Sequence, residues 1–187
     1  MRRALLSLAA VVSLAAALSA CETATPYQPL KAGGAEYGGY SETRLDGDHY
    51  RVSFQGNGMT PRDTVETYLL YHAAELTLHE GYDWFETVHQ ATDKHVSTFA
   101  DPGLGGPYGF GWRPYWRFYG PGFGWRGWDP YWGDPFWGDA DLTTVEKYEA
   151  SAEIVLGHGP KPPGDKTALD AHEVVANLAS KIIRPRS

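Results

Sequence analysis

The stretch from Thr60 to Gly81 has the clearest helical pattern in the chain. Thr60 is a candidate N-cap, and Pro61 suits the first helical position because the N–H that it lacks would be unpaired there. Gly81 is a candidate helix stop. The residues between them recur at steps of three and four, which predicts an amphipathic helix with one stripe facing the core: Val65, Tyr68, Leu69, His72, Ala73 and Leu76.

The N-terminus predicts a lipoprotein signal peptide over residues 1–20. Arg2 and Arg3 precede an uncharged run from Ala4 to Leu18, and the segment ends in Leu-Ser-Ala-Cys at Cys21. The apolar run is shorter than the roughly 20 residues that span a bilayer, and the small residues before Cys21 favour a removed leader. We therefore expect Cys21 to carry lipid on its thiol and on its new amine, as an effectively permanent membrane anchor.

Composition and net charge limit the compartments and the classes of partner that we expect. Cys21 is the only cysteine, so the mature chain has no disulfide and no thiol catalysis. Glu22, in place of the aspartate typical of inner-membrane retention, favours the outer membrane, with the domain facing the periplasm. Without its leader the chain keeps 14 of its 16 basic and all 23 acidic residues, a net charge near −9. This charge argues against nucleic acid and against electrostatic attraction to anionic lipid, so the expected partners are the membrane, through the lipid anchor, and another envelope protein or a glycan.

The chain after Cys21 divides into a tether and one domain. Residues 21–39 are rich in Gly, Pro, Thr and Ala without a period, which predicts a flexible tether. Residues 40–187 predict a single α+β domain. In its second helix, Asp170 stands in capping-box spacing to Glu173. Besides the first helix, the predicted elements are Ser41–Leu45, His49–Gln55, Tyr82–Val88 and Thr144–Leu156 as strands and Asp170–Lys181 as the second helix.

These elements predict the fold class. The order strand, strand, helix, strand, strand, helix favours a small, mostly antiparallel sheet of about four strands with two helices on one face, a two-layer sandwich. Asp46-Gly47 is expected to close the first hairpin. Strand alternation assigns two apolar faces: Tyr82, Trp84 and Val88 in one strand, and Tyr148, Ala150, Ala152, Ile154 and Leu156 in another.

The segment 101–139 is an aromatic insertion between the last two predicted strands. Its glycines and prolines argue against helix and central strand, so we expect a long disordered or irregular hairpin loop, and removal of Gly105 to Trp137 should leave the fold intact. The rings either collapse on each other in a low-complexity loop or form a binding surface for sugars, lipid or a protein groove. That candidate surface consists of Trp112, Trp116, Trp125, Trp128, Trp132 and Trp137.

Several short motifs together resemble a family of small alphaproteobacterial lipoproteins of the Caulobacter type. They are LSAC before the cut, TPYQP (25–29), GGYSE (38–42), YRVSFQGN (50–57) and TVETYLLYHAAELTL (64–78). The resemblance covers the tether, hairpin and first helix, and extends more loosely to the last strand and helix. It implies an envelope location and a shared fold, and it brings no catalytic residues.

No catalytic, cofactor or metal motif is found. The seven histidines are scattered and lack the spacing of a zinc helix, and no nucleophile elbow is present. Two hypotheses of different class remain. The first is a non-catalytic envelope module that makes contact through its aromatic loop or a sheet edge. The second is a cell-wall glycan hydrolase or transferase with a carboxylate pair such as Glu86 and Glu149, which would need to lie about 5 to 9.5 Å apart. The sequence favours the module.

Overall fold

A computed structural model describes residues 23–31, 38–88, 115–120, 122, 124–128, 147–165 and 167–185. These residues contain mixed helix and antiparallel sheet with two α-helices, as predicted, but seven strands rather than four. The elements in chain order are β1 (Gly39–Asp46), β2 (His49–Gln55), α1 (Arg62–His79), β3 (Trp84–Thr87), β4 (Tyr115–Gly120), β5 (Gly124–Trp128), β6 (Lys147–Gly157), β7 (Ala168–Asp170), α2 (Ala171–Leu178) and a 3₁₀ turn (Ala179–Lys181).

Strand β6 is the centre of the sheet. It pairs along one side with β2, and its other side is shared by two strands because it is 11 residues long. The half that ends at Gly157 pairs with β3, whereas the half that begins at Lys147 pairs with β4. The order across the sheet is β1-β2-β6-β3-β7, and β5 lies beyond β4. Every strand pair is antiparallel.

Alternate residues of these strands form the core beneath α1. The predicted apolar face of β6 is confirmed from Ala150 to Leu156. In β3 the predicted face is reversed, because Phe85 is buried and Trp84 lies on the opposite face, where its ring covers Gly157. The buried strand residues are Tyr50, Val52, Phe54, Phe85, Thr87, Trp116, Phe118, Ala150, Ala152, Ile154, Leu156, Ala168 and Leu169.

Helix α1 confirms the predicted stripe, since all six of its residues are buried. Its start differs from the prediction. The N-cap is Pro61, which has no side chain to cap the first turn, and the Thr60 hydroxyl donates instead to Asn57 Oδ1 at 2.7 Å. The stop agrees with the prediction, as Gly81 follows the helix with φ 84°. Helix α2 begins as predicted, because Asp170 accepts a hydrogen bond from the Glu173 N–H at 2.9 Å.

More of α1 is buried than one stripe allows. Leu70, Tyr71, Ala74 and Thr77 are also inaccessible, although they lie beside or behind the predicted face. The sheet covers one side of the helix, and α2 packs against it as well as against β3 and β7. Tyr71 is also covered by Tyr27, one of the residues that were expected to form a tether.

The aromatic insertion supplies two of the extra strands. Residues 115–120 and 124–128 form the hairpin β4–β5, so the prediction of an irregular loop is wrong for these residues. Alternation explains the difference, because Trp116 and Phe118 point into the core while Tyr115, Arg117 and Tyr119 point away from it. Deletion of Gly105 to Trp137 would therefore remove core side chains, contrary to our expectation. The rest of the insertion lies outside the described residues.

Candidate functional site

Residues 23–31, here called the N-terminal segment, are packed against the domain. The expectation of a flexible tether over 21–39 does not hold for this part, and residues 32–37 lie outside the described residues. Tyr27 is only 1% exposed and Thr25 only 2%. Thr23 is the second residue after Cys21, so this segment connects the predicted lipid site directly to the fold.

The first contacts of the N-terminal segment are hydrogen bonds with the loop between β2 and α1. The Asn57 side-chain amide donates to the Thr23 carbonyl at 2.7 Å. The Thr25 N–H donates to the Thr60 hydroxyl at 2.8 Å, and the Asn57 N–H donates to the Thr25 hydroxyl at 2.8 Å. Asn57, Thr60 and Thr25 are all buried, so each depends on the others for its hydrogen bonds. These contacts fix the chain three residues or fewer after Glu22.

Two glycines at the start of β1 make room for the segment. A Cβ on Gly38 would lie 2.2 Å from the Gln55 carbonyl oxygen, and one on Gly39 would lie 2.6 Å from the Gln28 carbonyl oxygen. Both residues have positive φ, which disfavours other residue types. The close approach allows a parallel bridge between Pro29 and Tyr40, with hydrogen bonds of 2.7 and 2.8 Å.

Tyr27 occupies a pocket on α1 that is lined by other rings. Its ring centroid lies 5.2 Å from that of Tyr71 and 5.7 Å from that of Tyr68, both edge to face, and 4.7 Å from that of Tyr40. Arg184 lies 5.0 Å above the Tyr27 ring. Ring pairs in such arrangements stabilise the fold by more than the burial of their apolar area alone. On α1 this ring covers Tyr68, Tyr71 and His72.

Polar groups complete the pocket. The Tyr27 hydroxyl donates to Glu75 Oε2 at 2.5 Å and lies 3.3 Å from His72 Nδ1. Burial, together with the hydrogen bond to Glu75, raises the pKa of Tyr27 far above its usual value, so the hydroxyl keeps its proton. His72 Nε2 lies 2.9 Å from Glu42 Oε2, and this hydrogen bond lowers the pKa of Glu42. Each ring nitrogen of His72 therefore has a partner, Tyr27 on one side and Glu42 on the other.

The six tryptophans of the candidate binding surface do not form one surface among the described residues. Trp116 is 3% exposed and packs in the core, with the Arg62 guanidinium 4.7 Å from its ring. Trp125 is half-buried on the opposite face of the hairpin. Trp128 ends β5, and its side chain is not described. Trp112, Trp132 and Trp137 lie outside the described residues.

The outer face of β4–β5 carries the aromatic side chains that remain accessible. Tyr115 is 50% exposed. Tyr119 lies opposite Trp125 in the register, with their ring centroids 5.5 Å apart, and the Arg117 guanidinium lies 5.0 Å from the Trp125 ring. Arg117 also contacts Glu149 at 3.4 Å, while burial raises the pKa of that carboxyl. A sequence signal for this face existed in the alternation of residues 115–119.

The carboxylate pair of the enzymatic hypothesis is not assembled. Glu86 lies opposite Val155 and Glu149 lies six residues earlier on the same strand, so about 20 Å of β6 separates them. That distance exceeds the separation that either glycosidase mechanism needs. Each group also has its own partner, because Glu86 accepts from the Thr167 hydroxyl at 2.9 Å and Glu149 faces Arg117.

Clusters of metal ligands and membrane-spanning helices are both absent from the described residues. No group of three or more His, Cys, Asp or Glu is placed there to hold a metal ion. No helix within the described ranges is long and apolar enough to cross a membrane. Comparison of the chain with protein families, curated proteins and solved structures finds no match.

Proposed function

We propose that the protein is a lipid-anchored bacterial envelope module without catalytic activity. In this proposal the leader 1–20 is removed, Cys21 is lipidated, and the domain is held on the periplasmic side of the outer membrane. The family resemblance of the leader, hairpin and first helix belongs to the same proposal. The module acts by contact, and the outer aromatic face of β4–β5 is the contacting surface.

One observation carries the proposal. Residues 23–31, which follow Cys21 closely, pack on the folded domain, with the Thr23 carbonyl bound to Asn57 and Tyr27 buried. A lipid on Cys21 would therefore hold a folded body, not a loose linker, at the membrane. The aromatic face supports a contact function, because β4 and β5 are rigidly paired within the sheet and Tyr115 is half exposed.

Metabolic labelling with a fatty acid tests the anchor. The wild-type chain is expected to incorporate label and to fractionate with outer membranes on a density gradient. The Cys21→Ala variant should incorporate none, because no thiol remains at the predicted modification site. Glu22→Ala is a matched neighbour that keeps the thiol, so its label should equal that of wild type.

Equal label in the wild type and Cys21→Ala, or no label in either, would refute the lipoprotein assignment. The contact function is tested separately with Trp125→Ala and Tyr115→Ala in the chain from Glu22 onward, which lacks the lipid anchor. These changes should weaken association with purified outer-membrane vesicles and peptidoglycan sacculi while far-ultraviolet circular dichroism stays unchanged. Association that survives both changes would remove the aromatic face from the proposal.

A further inference from the structure

The described residues bring three features to one end of the sheet. The N-terminal segment is bound there through Asn57, which follows β2 directly. The turn between β4 and β5 lies at the same end, because Tyr119 pairs with Lys147, the first residue of β6. Met59, which is 57% exposed, projects from the same loop as Asn57. We call this the Thr23 end of the sheet, and its described residues are 57–60, Gly120, Gly122 and Gly124 at the β4–β5 turn, and Lys147 at the start of β6.

The register fixes how close these features are. Gly56 donates its N–H to the Tyr148 carbonyl, so the loop after β2 is level with the start of β6. The β4–β5 turn is level with the same residues on the other side of β6. Two strand spacings, or about 10 Å, therefore separate Asn57 from that turn. The opposite end of the sheet, with the turn at Gly47, lies beyond Val155 and about 30 Å away.

The length of chain between Cys21 and the fold limits where the Thr23 end can lie. Thr23 is two residues after Cys21, and two residue steps span about 7 Å at most. The acyl chains of a lipid on Cys21 would lie in the hydrocarbon of the bilayer, which holds the cysteine itself at the depth of the headgroups. The surface around Thr23 must then rest on the headgroups or within one side chain of them. A flexible tether of 19 residues would impose no such limit.

The side chains at this end suit a membrane surface. Tyr and Trp are enriched at the interface between membrane and water because each joins an apolar ring to a polar tip. Tyr119 and Trp125 are the aromatic pair nearest the β4–β5 turn, one position away from Gly120 and Gly124 respectively, and the Arg117 guanidinium lies over the Trp125 ring. Met59 adds an exposed apolar side chain beside the attachment point.

We propose that the Thr23 end of the sheet lies on the phospholipid surface, so that the aromatic hairpin contacts the bilayer that holds the lipid of Cys21. This inference rests on the proposed function, because it needs the anchor. It selects the lipid interface from the three uses of an aromatic surface. It also orients the domain, with the Gly47 turn and the end of α1 pointing into the periplasm.

Three single-cysteine variants test this orientation in the lipidated full chain. Cys21 is the only natural cysteine, and lipidation occupies its sulfur, so an introduced cysteine is the only free thiol. Gly122→Cys marks the β4–β5 turn and Met59→Cys marks the loop after β2. Gly47→Cys is the matched control at the far turn, since a Cβ added at either Gly47 or Gly122 would meet no atom within 4 Å.

Each variant is labelled with an environment-sensitive fluorophore and reconstituted into phosphatidylethanolamine and phosphatidylglycerol vesicles that contain a headgroup spin-labelled lipid. Quenching at Gly122 and Met59 is expected to be several times stronger than at Gly47. Insertion of 15 Gly and Ser residues between Glu22 and Thr23 should reduce quenching at both positions towards the Gly47 value. Quenching that is unchanged by the insertion would overturn the claim that the docked segment sets the distance.

The other outcomes separate this inference from the proposed function. A chain that carries no fatty acid and does not float with the vesicles refutes the anchor itself. A chain that carries fatty acid but is quenched equally at all three positions refutes only the orientation. Strong quenching at Met59 with none at Gly122 would overturn the hairpin contact with lipid and leave that face to a protein or glycan partner.

Discussion

Replacing Tyr27 by alanine should destabilise the domain strongly, although this residue lies in a stretch whose composition suggests a tether. The side chain is 1% exposed, contacts three other tyrosine rings and donates to Glu75. Truncation of a buried aromatic residue costs about 3 to 5 kcal/mol. A domain of this size has about 5 to 15 kcal/mol to lose. At about 2 to 4 °C per kcal/mol, the melting temperature should fall by roughly 10 °C.

Thermal and urea denaturation of the chain from Glu22 onward, followed by circular dichroism, measures this loss. Tyr115→Ala is the matched control, because Tyr115 is half exposed and surface changes stay within about 0.5 kcal/mol. Tyr27→Phe keeps the ring but removes the donor to Glu75, so an intermediate loss of about 1 to 2 kcal/mol is expected. If Tyr27→Ala and Tyr115→Ala unfold at the same temperature, the N-terminal segment is a tether and the membrane orientation argued from it fails.

Two further predictions concern the insertion and the network around α1. Trp116→Ala should lower the free energy of unfolding, measured in urea, by about 3 to 5 kcal/mol because the ring is 3% exposed. Trp125→Ala, on the outer face, should change it little. Equal small losses for the two variants would mean that the hairpin contributes no side chain to the core. The hydrogen bond from His72 lowers the pKa of Glu42 in the folded state, so its contribution is present above the ordinary carboxyl pKa of about 4.3 and is lost as the pH falls through the lower folded value. Between pH 5 and pH 3 the wild type should therefore lose more stability than Glu42→Gln, and parallel curves would contradict this cause.

The parts of the fold that could be predicted from the sequence are those with a long, regular period. The stripe from Val65 to Leu76 and the alternation from Ala150 to Leu156 place each residue by its neighbours alone. Such patterns need no knowledge of distant contacts. The turn at Gly81 and the cap at Asp170 are equally local.

The parts that could not be predicted depend on contacts between distant residues. Thr25 meets Thr60 across 35 positions, and Tyr27 meets Glu75 across 48. A segment that docks through one ring and a few hydrogen bonds has no periodic pattern in its sequence. In the insertion, the glycine and proline content led to the prediction of a loop, and the five-residue alternation around Trp116 was not used. That alternation correctly separates the core face of β4 from its outer face. The face on which a tryptophan lies also decides whether it can contact a partner: Trp116 lies on the core face of the hairpin, and Trp125 lies on its outer face.

The polar groups around Tyr27 explain how a short segment can set the distance between a lipid and a fold. The Tyr27 hydroxyl and Arg184 bind the two oxygens of the Glu75 carboxylate, at 2.5 and 2.6 Å. The Tyr27 N–H also donates to the Ile183 carbonyl at 2.7 Å, so the residues after the 3₁₀ turn are joined to the Tyr27 pocket as well. Apolar packing alone would tolerate sliding, whereas a shift by one residue would leave Glu75 without its buried donor at a cost of about 1 to 3 kcal/mol. The network therefore favours one register, and one register fixes the position of Thr23 relative to the surface on which we place the membrane.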